Sequence, residues 1–250
     1  MDRVIKSSIE ELEQRIKDLT ARLEQSNKEM EDFAYSVSHD LRSPLRGIDG
    51  WSQALSEDYA EILDETAKIY LSRIRNETLR MHELIESLLQ LSRISRRVIE
   101  LESVDLSCMS DSIISMFREQ EPGRKIRVNI EPSLSIMADK FLMNIMMTKL
   151  LHNAWKFTEK KELAQIDIGS TISDNERVYF VRDNGAGFNL AYAKKLFGAF
   201  QRMHKPNDYP GIGIGLAMVQ RIVLRHGGNI WVESTVDNGA TFFWAIRSLT

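Results

Sequence analysis

IKSSIEELEQRIKDLTARLEQSNKEMEDFAYSVSHDLRSPL, residues 5–45, begins with a regular apolar stripe and then loses it. Ile5, Ile9, Leu12, Ile16, Leu19, Leu23, Ser26, Met30, Phe33 and Val37 alternate in steps of four and three, and only Ser26 among them is polar. Glu, Lys, Arg and Gln fill the positions between. A 3.5-residue period held this long predicts a coiled coil, because so narrow a stripe needs a second helix to cover it. A single amphipathic helix laid on a globular core seldom keeps such a stripe over this length. The register fails at Asp40, which takes the next position that a coiled coil wants apolar. His39 falls on the solvent side. Pro44 follows, removing a backbone donor and bending a helix interior at a cost of roughly 3 kcal/mol.

Working outward, a second helical pattern covers 64–95, with Leu71, Ile74, Thr78, Met81, Ile85, Leu88 and Ser92 at three-four spacing. Gly47, Gly50 and the polar stretch 56–64 loosen the chain before it, which predicts two long antiparallel helices joined by a bend. One stripe per helix cannot close a core alone. Two copies can, as a four-helix bundle, so packing alone predicts a homodimer.

The composition is that of an ordinary soluble protein, 43% hydrophobic and 28% charged over 250 residues, enough for one or two domains. The net charge of −3 argues against a dedicated nucleic-acid partner. A single cysteine, Cys108, excludes an intrachain disulfide framework or a Cys-rich zinc site and suits a reducing, cytoplasmic setting. No apolar window is long enough for a membrane span, so an anchor, if the protein has one, is expected outside this chain.

After the charged stretch 93–102 the pattern changes. Short β-type runs at 126–130, 165–171, 178–182, 229–234 and 241–246, with helical segments at about 140–157 and 214–226, predict an α/β sandwich with helices on one sheet face. Three polar clusters stand in it. In His152-Asn153-Ala154-Trp155-Lys156-Phe157 the i,i+3 spacing puts a neutral oxygen and a positive charge on one helix face, a combination suited to Mg²⁺ plus phosphate and equally to a plain polar helix end. In Asp183-Asn184-Gly185-Ala186-Gly187-Phe188 a carboxylate closes a strand before two glycines; this suits acceptance from an exocyclic amine, and equally a hairpin turn. In Gly211-Ile212-Gly213-Ile214-Gly215-Leu216 glycine amides open an apolar helix, an arrangement that cradles phosphate, although neither the P-loop nor the dinucleotide-binding spacing is present.

Their order is more specific than any one of them. His39-Asp40-Leu41-Arg42-Ser43-Pro44-Leu45 resembles the H box of sensor histidine kinases, and Asn153-Ala154-Trp155-Lys156-Phe157-Thr158 their N box. Asp183 to Phe188 is similar to the G1 box, Lys195-Leu196-Phe197-Gly198-Ala199-Phe200-Gln201 to the F box, and Gly211 to Leu216 to the G2 box. The F box and the Arg202-Met203-His204 that follows most resemble phytochrome-type members. The resemblance implies a coiled-coil linker (1–29), a dimerising, phosphate-accepting helical hairpin (30–98) and a Bergerat-type (GHKL) ATP-binding domain (104–250). It implies transfer of the γ-phosphoryl of Mg-ATP to His39, with Asp40 as base or orienting group, and relay to an aspartate on the receiver domain of a separate response regulator. Asn153 would bind Mg²⁺, Lys156 would hold phosphates, and Phe157 would lie against adenine. Asp183 would accept from adenine N6, with Gly185 and Gly187 letting the ring close in. Gly211, Gly213, Gly215 and Leu216 would meet phosphates at the end of a mobile lid, 190–210, anchored by Phe200. Arg202 would reach the γ-phosphate and Thr241 would line the adenine pocket. A sensor domain ahead of Met1 is expected.

Two positions depart from the family pattern. Lys149 stands where a second Asn is usual, four residues before Asn153; a cation cannot ligate Mg²⁺, so either the metal shell differs or Lys149 meets phosphate. Ser43 stands where Thr or Asn is frequent, which leaves phosphatase activity open. Two competing readings are an ATPase of the same nucleotide fold without a phosphohistidine, and a non-catalytic coiled-coil module keeping a degenerate nucleotide fold.

Overall fold

The computed structural model describes residues 2–173, 175–190, 196–201, 203, 209 and 211–246. The chain divides into two compact units, Met1–Ser92 and Arg93–Thr250.

The first unit is helical. Helix α1 runs Asp2–Asp58 without a break, and α2 runs Glu65–Arg96, its last turn lying in the second unit. Arg42 bonds Glu86 and Asp49 meets Arg75, so the partner number falls as the first rises and the two helices are antiparallel. Leu45, Ile85 and Leu89 are buried together between them. The expected loosening at Pro44, Gly47 and Gly50 does not interrupt α1. Proline removes a single ladder bond, and the buried Leu45 and the Arg42–Glu86 pair hold the chain on either side of it. The bend comes after Asp58 instead, and Asp64 starts α2 by accepting from the Ala67 amide at 2.7 Å.

A single copy of this unit leaves much apolar surface open. The heptad side chains Leu12, Ile16 and Leu19 are 60, 63 and 59% exposed, and Trp51 is 76% exposed. Among the described residues no helix is long and apolar enough to cross a membrane.

The second unit layers helices on a sheet. Strands β2 (Ile126–Ile130), β4 (Ala164–Ser173), β5 (Glu176–Asp183), β6 (Asn229–Ser234) and β7 (Ala240–Ala245) form one sheet in the order β2-β4-β5-β7-β6. Only β2 and β4 are parallel. Alternation sends Ile166, Ile168, Tyr179, Val181, Phe242 and Trp244 to one buried face. Against it lie α4 (Lys140–Phe157), with Leu142, Met143, Met146, Met147, Leu150 and Leu151 fully buried, and α5 (Gly215–Arg225), with Met218, Val219, Ile222 and Val223. Helix α3 (Leu106–Gln120) packs beside α4 through Phe117 and Trp155, whose ring centroids are 5.4 Å apart. A two-stranded antiparallel pair, β1 (Glu102–Asp105) with β3 (Ser135–Ala138), lies before α4. The far end of α5 grips the chain where this unit begins: Arg225 donates to the Ile94 and Arg97 carbonyls and Arg221 to Ser95 Oγ.

Candidate functional site

In the first unit α1 presents His39 to solvent. Its side chain is 71% exposed and that of Asp40 is 76% exposed. Consecutive helix positions point about 100° apart, yet the two rotamers close the gap, and His39 Nδ1 lies 3.3 Å from Asp40 Oδ1. With Nδ1 donating to that carboxylate, Nε2 keeps its lone pair toward solvent. Arg42 is turned aside to Glu86, and Ser43 is exposed one turn after His39. Ser38, the residue before the histidine, is buried with its hydroxyl unpartnered among the described residues.

In the second unit the end of α4, the turn after β5 and the start of α5 carry the three sequence clusters. Asn153, Lys156 and Phe157 sit in the last turns of α4 and are partly buried. Lys156 Nζ lies 4.3 Å from the centre of the Phe157 ring, and Phe157 meets Tyr209 edge-to-face at 5.1 Å. Asp183 ends β5 and is buried. Burial pushes its carboxyl up to about 6 from its ordinary 3.8, against the opposing pull of the Gly185 and Ala240 amides and the Lys161 charge. Gly185 N donates to Asp183 Oδ1 at 2.8 Å.

Backbone meets backbone around this turn. A side chain at Gly185 would run into the Phe157 carbonyl, and Ala186 N donates to that same oxygen at 3.1 Å. A side chain at Gly187, which has φ 55°, would overlap the Thr235 carbonyl, and one at Gly239 would overlap the Asp183 carbonyl. The two glycines of 183–188 therefore serve close approach within the protein itself.

The start of α5 differs from those of α3 and α4. Asp105 caps α3 by accepting from Cys108 N, and Asp139 caps α4 by accepting from Leu142 N. At α5 the capping position is Ile214, with no side-chain bond. Its first-turn amides thus keep no cap, and the positive end of the helix dipole opens onto Gly211 (φ 140°) and Gly213 (φ 80°). Leu216 is partly buried in that first turn. Two lysines of α4 reach this loop: a Cβ built on Gly211 lies 3.3 Å from Lys156 Nζ, and one built on Gly215 lies 3.7 Å from Lys149 Cδ. Lys149 is partly buried, and that burial pulls its ammonium below its ordinary pKa. Among the described residues no group of three or more His, Cys, Asp or Glu could hold a metal ion.

Some sequence expectations fall elsewhere. Thr241 pairs with Arg182 across β7 and β5 and accepts from its Nε at 3.3 Å, on the face opposite Asp183. Ala240 is the residue of β7 that shares the Asp183 face. Phe200 is 54% exposed, and among the described residues of its segment the buried ones are Leu196 and Tyr209. Arg202 lies outside the described residues, as does most of 190–210. Tyr209, Ala240 and Gly239 were not marked by sequence. Gly239 follows Asn238, a turn signal that could have pointed to it.

A helical unit with an exposed histidine, followed by this layered sheet with an uncapped glycine-rich helix start, defines a phospho-acceptor domain joined to a Bergerat-like ATPase. Residues 29–97 match the His Kinase A (phospho-acceptor) domain, and residues 138–249 match the histidine kinase-, DNA gyrase B- and HSP90-like ATPase family. The chain belongs to the sensor histidine kinases, whose domain pair it carries. Among curated proteins it is 38% identical over 237 residues to cyanobacterial phytochrome B of Nostoc, covering 92% of this chain and 31% of that protein. It is 35% identical over 237 residues to the methanogenesis regulatory histidine kinase FilI of Methanothrix harundinacea, covering 94% and 26%. The chain thus spans about a third or less of these relatives' length. Among solved structures, full-length ShkA in complex with AMPPNP shares the fold at TM-score 0.61 and 24% identity, covering 86% of this chain and 45% of that one. Acinetobacter baumannii histidine kinase AdeS shares it at TM-score 0.58 and 19% identity, covering 85% and 98%.

Proposed function

We propose that this chain is the catalytic core of an ATP-dependent protein-histidine kinase that phosphorylates its own His39 and passes the phosphoryl group to an aspartate on the receiver domain of a response regulator. The observation that carries the reading is the exposed His39 with Nδ1 at 3.3 Å from Asp40. In the transfer, Nε2 forms a bond to the γ-phosphorus while the bond from that phosphorus to the β–γ bridging oxygen breaks, leaving ADP. The ring becomes positive as it attacks, and the Asp40 carboxylate stabilises that charge while fixing the tautomer. The ATP domain's contribution is positioning and charge neutralisation.

On this reading the Asp183 carboxylate accepts from the adenine amine, and the uncapped α5 amides and Lys156 hold the phosphates. Phe157 and Tyr209 supply an apolar edge to the purine. Mg²⁺ fits here only as part of Mg-ATP: Asn153 offers one neutral oxygen between two lysines, so the phosphates must bring most of the ion's ligands. When bound, the ion neutralises phosphate charge. Ser43 shares the His39 face one turn on, and its hydroxyl is the group available to orient water for dephosphorylation. The domain limits proposed are 1–29, 30–98 and 104–250. Dimerisation is supported by the exposed heptad residues and by Trp51, which a second copy would cover.

Incubation of the full chain with γ-labelled ATP tests the proposal. The label should become protein-bound, acid-labile and base-stable, and His39→Gln should abolish it. Label retained by the His39→Gln protein would sink the assignment.

A further inference from the structure

The nucleotide site holds a cation with no established task. Lys149, Asn153 and Lys156 are spaced by four and three residues and form one stripe along α4. The two lysines bracket the glycine loop: Lys156 reaches Gly211, and the Lys149 stem runs beside Gly215, the first residue of α5. Lys156 has the Phe157 ring beneath it. Lys149 is partly buried and its ammonium, among the described residues, has neither an ion pair nor a hydrogen bond. A desolvated ammonium without a counter-charge is unfavourable, and an anion placed beside it relieves the cost. From α5, the helix start without a side-chain cap adds its own positive end to that spot. Three positive features and one neutral amide make a site for a polyanion and a poor one for a metal ion.

We propose that Lys149 binds the polyphosphate of the nucleotide and supplies positive charge that Mg²⁺ would otherwise supply alone, so that nucleotide binding here depends only weakly on Mg²⁺. This rests on the reading of the site as an ATP site. An ammonium at position 149 cannot ligate the ion, but it can donate to a phosphate oxygen. The charge stays with the protein when the metal is removed.

The test is nucleotide affinity of the full chain, measured by displacement of a fluorescent ATP analogue with Mg²⁺ and with EDTA. The wild type should lose less than about tenfold on removal of Mg²⁺. Lys149→Asn should lose roughly ten- to hundredfold more than that in EDTA, the worth of one charge-assisted hydrogen bond, and should approach the wild type when Mg²⁺ is present. Lys149→Arg should keep the wild-type ratio. Lys149→Gln provides a second neutral variant, and thermal unfolding establishes that each is folded. Equal Mg²⁺ ratios in wild type and both neutral variants would overturn the inference while leaving the kinase reading intact. Absence of any nucleotide binding by the wild type would overturn both.

Discussion

Replacing Asp183 with asparagine isolates the energetics of one buried carboxylate. Its pKa of about 6, against an ordinary 3.8, means that the folded protein holds the proton longer than the unfolded chain does. Stability from this group is therefore complete below about pH 4, falls as pH rises toward 6, and is flat above. At 1.36 kcal/mol per unit the full change is about 3 kcal/mol. Asparagine removes that charge cost. The oxygen that accepts from the Gly185 amide at 2.8 Å is kept by asparagine, whose side chain is neutral at every pH. Without nucleotide, Asp183→Asn should therefore match wild type near pH 4, where the wild-type carboxyl is also neutral, and exceed it by about 2–3 kcal/mol near pH 8. Urea unfolding across that range, read as the difference between the two proteins, cancels titration shared by both. A difference that stays constant from pH 4 to pH 8 would refute the reasoning. The same substitution should weaken ATP roughly ten- to hundredfold, because the adenine amine loses a charged acceptor.

Three further outcomes are expected. Arg97→Met should destabilise by about 2–4 kcal/mol near neutral pH, since Arg97 Nε bonds Asp139 Oδ2 at 2.9 Å and Asp139 is buried. Burial alone would raise the Asp139 pKa, but the Leu142, Arg97 and Glu100 bonds outweigh it and hold it low; the penalty, seen in denaturant midpoints, should shrink as acid protonates the carboxylate. Gly187→Ala should lower the melting temperature sharply, combining a left-handed φ with overlap of the Thr235 carbonyl, whereas Gly47→Ala, with open space in α1, should raise stability by about 0.5–1 kcal/mol. The paired change Leu12→Glu and Ile16→Glu should shift the chain toward monomer in sedimentation, because it charges an apolar stripe that is left open in one copy.

Sequence periodicity located α4, α5 and all five strands of the large sheet, because each repeats its pattern over enough residues to average out exceptions. Helix α3 escaped notice. Its buried positions Leu106, Ser110, Ile113, Ile114 and Phe117 include a serine, whose hydroxyl is satisfied by the Leu106 carbonyl at 2.7 Å. The Asp105 cap was the available signal. Strands β1 and β3 have four residues each, too few for a period to declare itself. At the site, local motifs marked Asp183 and the glycine loop, which the fold sets at the end of β5 and the start of α5. The face of Thr241 could not be read, because it depends on the pairing of Arg182 with a residue 59 positions away. The contact between His39 and Asp40 turns on rotamers, which spacing does not specify.

The turn that follows β5 has one more implication. The backbone around Asp183 is packed closely at three glycines: the Phe157 carbonyl lies against Gly185, the Thr235 carbonyl against Gly187, and the Asp183 carbonyl against Gly239. Asn184 extends the same theme, with its amide taking the Gln165 N–H and giving to the Leu163 carbonyl as a further strand would. The acceptor is thus aimed by peptide geometry, which most substitutions leave unchanged. Side chains lining the rest of the pocket can drift through evolution without moving this oxygen, and the tolerance ends abruptly at three hydrogens, those that stand in place of Cβ at Gly185, Gly187 and Gly239.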